Sequence, residues 1–195
     1  MDLLKETEAI QEGHFLLSSG RHSNRYVQCA QLLQYPDKAA AALKPVVNAI
    51  RADIQAGKLM LDVIVGPAMG GIIVAYELGR QLGIPSLFTE RDDTGKMTFR
   101  RRFAVSQGQR VLIAEDVVTT GKSSVETAAV LEAFGAKVVA LACVVDRRTE
   151  EAAPQLPRWP IYPAVRVDVA NWDAADCDLC KKGIPVVKPG SRKTF

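Results

Sequence analysis

An α/β protein, with a central parallel sheet flanked by helices, is the fold class this chain predicts, and three observations predict it. Short apolar runs with strand character recur at LDVIVG, PSLFTE, QRVLIAEDVV and AKVVALACVVD. Between them lie stretches of helical spacing, GGIIVAYELGRQLG and SSVETAAVLEAFG, each closed by a glycine. The strand runs are apolar continuously rather than at alternate positions, which means that both faces of the sheet are covered. Such alternation implies right-handed βαβ units in one domain spanning 1–195, with 1–35 as an extension and 36–195 as the core and C-terminal segment.

Residues 1–12 read as an amphipathic helix with Leu3, Leu4, Thr7 and Ile10 on one side. The segment GHFLLSSGRHSNRYVQ has the glycines and serines of a loop joined to short strands. Pro36 and Asp37 open an alanine-rich helix running toward Gly57, and Pro45 inside it is expected to kink or divide it. LDVIVG is the first core strand, and the helix after it ends at Gly83. PSLFTE is the second strand, followed by RDDTGKMTFRRRF, a basic interruption longer than a tight turn requires. QRVLIAEDVV is the most apolar strand, and TTGKSS is the turn after it. Ser123 and Ser124 are expected to cap the next helix and Gly135 to stop it before the strand AKVVALACVVD. From Pro154 onward the chain is rich in proline and is expected to wrap the surface irregularly.

Composition narrows the function classes. The 195 residues are 48% hydrophobic and 24% charged, as in a soluble globular domain. No apolar run approaches the roughly 18 residues that span a bilayer, and the N-terminal MDLLKETEAIQEG lacks a signal peptide's apolar stretch. A cytoplasmic location without a membrane partner is the expectation. The net charge of +3 gives no reason to expect a nucleic-acid partner. Positive charge does gather at Arg91, Lys96, Arg100, Arg101 and Arg102, either as a solvated loop or as a seat for a polyanion. Cys177 and Cys180 form a lone C-x-x-C, while His14 and His22 lie far away in sequence with no usual ligand spacing, so no metal is assigned to them.

Two strand ends carry chemistry. In an open parallel sheet, ligands bind beyond the carboxyl ends of the strands. At the first such end stand Glu115 and Asp116, then Val117, Val118, Thr119, Thr120, Gly121, Lys122 and Ser123. Two acids closing an apolar strand are costly to desolvate and should face a crevice, a cation or hydroxyl donors. The threonine hydroxyls, the glycine and the open amides of a starting helix form an anion seat. Taken alone, an acid ahead of Thr or Ser can also cap a helix. Gly-Lys-Ser further suggests the end of a Walker A loop, but that motif needs a glycine where Asp116 stands. The second strand end is Gly66-Pro67-Ala68-Met69-Gly70-Gly71, whose small residues allow backbone to approach a ligand closely.

An apolar strand, Glu-Asp, two apolar residues, Thr-Thr-Gly and a small hydroxyl residue resemble the signature of the type I phosphoribosyltransferases. The resemblance implies that family's fold, with a small N-terminal hood over the base, and the use of 5-phosphoribosyl 1-diphosphate (PRPP) with Mg2+ carried on it. It implies that Glu115 and Asp116 hold the ribose hydroxyls, and that Val117 to Ser123 surround the 5′-phosphate. The Gly66–Gly71 turn would be the pyrophosphate loop, although Met69 and Gly70 stand where an aromatic residue and a lysine are usual.

Other segments resemble the orotate-using branch, in its shorter bacterial subgroup. GHFLLSSGRHSNRY is similar to the base-covering segment, with Ser-Gly-Arg-x-Ser at Ser19 to Ser23 and Ser18 in place of a usual lysine. Arg147 stands where an arginine pairs with the orotate carboxylate, a group that suits a planar guanidinium. Thr119 would reach the pyrimidine. The 91–102 segment matches a mobile catalytic loop that in a homodimer reaches the neighbouring active site, making Arg91, Lys96 and Arg100 the implied catalytic residues and Lys96, Arg100 and Arg101 the candidate pyrophosphate contacts. Orotate would displace pyrophosphate at ribose C1 without a protein nucleophile. A purine or xanthine transferase, or a PRPP-binding regulator without catalysis, remain alternative readings.

Overall fold

The computed structural model describes residues 1–17, 19–148, 156 and 158–189. A six-stranded sheet forms the centre, made of β3 (Val63–Pro67), β4 (Ser86–Arg91), β5 (Met97–Thr98), β6 (Arg110–Val118), β7 (Lys137–Asp146) and β8 (Ile161–Arg166), in the order β5-β4-β3-β6-β7-β8. The pairs from β4 through β8 are parallel, whereas β5 turns back antiparallel on β4 at the edge. The central parallel sheet is as expected, with one antiparallel edge strand inside the basic interruption.

Alternate residues along each strand bury toward opposite sides, which explains the continuous apolar runs. Ile64, Leu112, Ala114, Ala140 and Ala142 join one core cluster, and Val63, Val65, Ile113, Leu141 and Cys143 join the other. On the first side lie α3 (Pro36–Gln55) and α4 (Gly70–Leu82), which add Leu43, Val47, Ile50, Val74 and Leu78. On the second lies α5 (Lys122–Ala133), adding Ala128 and Leu131. Gly83 stops α4 in the left-handed conformation, at φ 73, as the sequence suggests.

A smaller sheet sits beside this layer. It is an antiparallel hairpin of β1 (Ile10–Leu16) and β2 (His22–Val27), extended by β9 (Asn171–Trp172). Ile10, Val27 and Val169 join the first core cluster, so the hood is continuous with the core.

Four expectations are corrected. The N-terminal helix, α1, covers only Asp2–Glu6, because Glu8 takes a positive φ of 55 and Ile10 and Gln11 already pair with β2. Helix α3 runs through Pro45 undivided: Ala41 and Pro45 both lie on its exposed side, where water can satisfy the carbonyl that proline leaves unpaired. Ser123 and Ser124 do not cap α5, since Gly121 is the N-cap and both serines lie within the first turn. Lastly, the proline-rich end is not irregular throughout. Its β8 pairs with β7 in the main sheet, β9 joins the hood, and α6 (Asp178–Lys181) follows. Pro163 is tolerated because β8 is an edge strand.

Candidate active site

Two adjacent strands, β3 and β6, deliver the site. The turn after β6 enters α5 through Gly121, left-handed at φ 75, over which Leu156 packs so tightly that a Cβ on Gly121 would lie 2.9 Å from Leu156 Cδ1. Capped by a glycine, α5 begins without a side-chain cap bond, and the Lys122 amide reaches only Thr120 Oγ1 at 3.4 Å. Open amides and the positive end of the helix dipole favour an anion at this point. Thr119, Thr120 and Lys122 are exposed around it.

The acidic pair lies just below. Glu115 is buried, and Ser124 Oγ donates to its Oε1 at 3.2 Å. Burial, and then the neighbouring charge of Asp116, push the Glu115 carboxyl up to about 8. Asp116 is raised as well, by burial, although the Val117 amide donates to its Oδ1 at 2.9 Å. Such carboxylates favour ligand groups that donate hydrogen bonds.

The turn after β3 is pressed against this pair. A Cβ on Gly70 would overlap the Asp116 carboxyl and stand 2.9 Å from Asp116 Cβ. One on Gly71 would lie 2.7 Å from the Ala114 carbonyl oxygen. Glycines are therefore required for β3's turn to lie on β6, which accounts for Gly70 where a lysine is usual. Just before these glycines the Ala68–Met69 peptide is cis.

Arg147 closes the group on the β7 side. Its amide donates to the Val118 carbonyl at 2.9 Å, placing it next to Thr119. Its guanidinium Nε is buried without a hydrogen-bond partner among the described residues. Burial pulls the Arg147 pKa down, partly offset by the nearby Tyr26 of β2. Arg148, next in sequence, is different: it grips Asp146 through Nε at 2.9 Å and Nη2 at 2.8 Å. Burial alone would raise Asp146, but these bonds hold it below the usual carboxylate range. One arginine is spent on structure and its neighbour is left with an unsatisfied donor.

The basic segment forms a hairpin alongside α5. Arg91 donates to the Gly95 carbonyl at 2.7 Å and is ion-paired with Glu126 of α5. Arg101 pairs with Glu90 at 3.1 Å, while Lys96 and Arg100 are exposed. Of the Ser19–Ser23 motif, Ser23 is buried and donates to the carbonyls of Arg25 and Ala170 at 2.9 and 3.1 Å, and Arg21 reaches the Asn171 carbonyl at 3.2 Å. These two residues tie the hood to the C-terminal segment, while Ser18 lies outside the described residues.

Sequence reasoning missed several contributors. Leu156 and Tyr26 touch or approach the site from distant segments and carry no local signal. Far from each other in sequence, His14, His22, Cys177 and Cys180 come together, with one ligand-type atom from each all within 4.8 Å of one another. Regular ligand spacing, the signal sought there, is absent because the hairpin and the tail supply two residues each.

Comparison with known proteins follows the same outline. Residues 39–161 match the phosphoribosyl transferase domain family. The orotate phosphoribosyltransferase of Heliobacterium modesticaldum is 46% identical over 192 residues, covering 98% of this chain and 96% of that one. Among solved structures, orotate phosphoribosyltransferase from Aeropyrum pernix superposes with a TM-score of 0.65 at 25% identity, over 85% of this chain and 92% of that one. Leishmania donovani UMP synthase superposes at 0.69 with 22% identity; the match spans 85% of this chain but 35% of that longer protein, and it speaks to the fold.

Proposed function

The chain belongs to the orotate phosphoribosyltransferases, and on that footing we propose how its residues divide the work of making orotidine 5′-monophosphate and pyrophosphate from orotate and PRPP, a step of pyrimidine nucleotide synthesis. The observation that carries the assignment of roles is the buried, unpartnered guanidinium Nε of Arg147 beside the Glu115–Ser123 loop. A buried unsatisfied donor on a charged group is costly unless a ligand completes it. A carboxylate on the base does so with two parallel bonds.

PRPP binds at the β6 turn in this reading. Its 5′-phosphate takes the open amides at the start of α5 together with Thr119, Thr120, Lys122 and Ser123. The ribose hydroxyls donate to Glu115 and Asp116, and this favours the ionised form of a carboxyl held near 8 in the free chain. Pyrophosphate lies along the Gly66–Gly71 turn, whose glycines seat its backbone against β6. Orotate is then fixed by Arg147 and Thr119 with N1 facing ribose C1, so that the N1–C1 bond forms as the C1–O bond to pyrophosphate breaks, the N1 proton passes to solvent or the departing pyrophosphate, and the configuration inverts. Positioning and charge stabilisation suffice for such a reaction.

The cation requirement suits this donor set. Glu115 and Asp116 have no third carboxylate or histidine close enough to form a three-ligand group among the described residues. A Mg2+ ion held by one or two carboxylates and mostly by substrate oxygens and water matches that count. When bound, it offsets charge on the departing pyrophosphate.

Arg91, Lys96 and Arg100 are the proposed contacts to pyrophosphate from the mobile hairpin; Arg91 must then exchange Glu126 for the leaving group. A homodimer fits the exposed apolar stripe Met69, Ile73 and Tyr76 at the start of α4. The hood of 1–35 over a core of 36–195 and a cytoplasmic location complete the reading; no helix among the described residues is long and apolar enough to cross a membrane.

The test compares orotate with uracil, which lacks the carboxylate. Orotate should be preferred strongly, and Arg147→Ala should collapse that preference while leaving PRPP affinity intact. Equal losses for both bases would remove Arg147 from carboxylate recognition.

A further inference from the structure

We propose that His14, His22, Cys177 and Cys180 form a structural zinc site that fastens the hood to the C-terminal segment. His14 lies on β1 and His22 on β2, while Cys177 and Cys180 flank the start of α6 and lie on it. Cys177 Sγ is 3.4 Å from His14 Nε2, and Cys180 Sγ is 3.3 Å from His22 Nδ1 and 3.8 Å from His14 Nε2. Tetrahedral zinc with the usual Zn–S and Zn–N bond lengths separates its ligand atoms by roughly 3.3 to 3.8 Å. The His14 Nε2–His22 Nδ1 pair, at 2.7 Å, is closer than this and must open by about half an ångström. All four atoms lie within 4.8 Å of one another, which suits a single ion.

The protonation pattern also fits. His14 Nδ1 is 2.7 Å from the Ile184 carbonyl, an acceptor only, so Nδ1 carries the proton and Nε2 turns its lone pair toward the cluster. This is the outer-shell arrangement that orients metal-bound histidine. Zinc binding releases the two thiol protons, and two thiolates neutralise the ion. The resulting neutral centre suits a place where Cys177, His14 and His22 are buried. Cys180 is exposed and provides the way in. Both cysteines are free thiols, as thiolate ligation requires.

The surroundings give such a cross-link a purpose. The tail is held to β1 by backbone bonds, Leu16 to Val187 and Val187 to His14, at 2.9 and 2.8 Å. Its apolar side chains Ile184, Val186 and Val187 remain exposed and provide little burial. Joining segments more than 150 positions apart, as the 158 to 166 residue separations show, costs loop-closure entropy that a metal bond can offset.

The experiment uses the full chain produced with zinc and kept reduced. Elemental analysis should find one zinc ion per chain. Exchange for cobalt should give thiolate-to-cobalt charge-transfer absorption and the intense visible bands of tetrahedral geometry. Chelation should lower Tm by about 10 °C, reversibly on adding zinc back. Cys180→Ser changes an exposed position and should still fold, with at least about 100-fold weaker metal binding. Cys180→His should restore a tetrahedral cobalt spectrum with weaker charge transfer. Wild-type protein that stays substoichiometric in zinc and spectrally silent with cobalt would overturn the site. So would a Cys180→Ser variant that binds as tightly as wild type.

Discussion

Gly70 and Asp116 meet so closely that any side chain on Gly70 would occupy the place of the Asp116 carboxyl. The Gly66–Gly71 turn and the Asp116 carboxylate are thus mechanically joined across β3 and β6. Gly70→Ala must push the Asp116 side chain aside, because Asp116 is fixed in β6 and Gly70 at the start of α4. PRPP affinity should fall by about 10-fold or more, with a stability loss of about 1–3 kcal/mol. Asp116→Asn should weaken PRPP binding without the steric penalty. Calorimetric titration with PRPP checks both, and an unchanged affinity in either variant would detach Asp116 from the ribose.

Arg147 and Arg148 should respond in opposite ways. Arg147→Ala removes an unpartnered donor and should leave Tm nearly unchanged, while lowering kcat/KM for orotate about 100-fold. Arg148→Ala strips the paired guanidinium from Asp146, whose side chain is 4% exposed, and leaves Arg166 at 3.5 Å. A loss of about 2–4 kcal/mol is expected, with KM for orotate preserved. Melting curves and initial rates on the two variants separate the roles; a matched pattern would refute the division.

Glu115 gives the free chain a pH signature. Burial first, and Asp116 second, raise its folded value to about 8, above the 4.5 of the unfolded chain. Its protonated form therefore contributes stability that is fully present below the unfolded value and is lost as pH rises toward and through 8. Glu115→Gln keeps an acceptor for Ser124 and cannot ionise. The difference in Tm between variant and wild type should grow across that window in favour of the variant. A constant difference would mean that Glu115 is not held neutral.

Gly121 is required twice over, by its φ of 75 and by Leu156 above it. Gly121→Ala should cost about 1–2 kcal/mol from the left-handed backbone alone and more from the clash. It should also weaken inorganic phosphate binding, because the amides of α5 are re-aimed. Chemical denaturation and phosphate titration read the two effects separately; intact phosphate affinity would move the anion away from α5.

What the sequence revealed divides by range. The β6 turn was legible because Glu115 to Ser123 are contiguous, and the strands because burial on both faces leaves continuous apolar runs. Arg147 could be placed because it follows directly on a strand. Other features depend on distant partners. Pro45 looks like a helix breaker until its exposed side is known. Pro163 looks like the mark of a loop until β8 is seen to be an edge strand. Gly70 looks like the loss of a lysine until Asp116 is found against it. The His14, His22, Cys177 and Cys180 group has no spacing to recognise, since the β1–β2 hairpin and α6 assemble it only in the folded chain.

The most direct test of the central claim is turnover itself. Protein, Mg2+, PRPP and orotate are mixed, and the loss of orotate absorbance is followed with chromatography of the product. Stoichiometric formation of orotidine 5′-monophosphate and pyrophosphate is expected, dependent on PRPP and reduced about 100-fold by Arg147→Ala. An absence of orotate turnover, with turnover of a purine base under the same conditions, would contradict it.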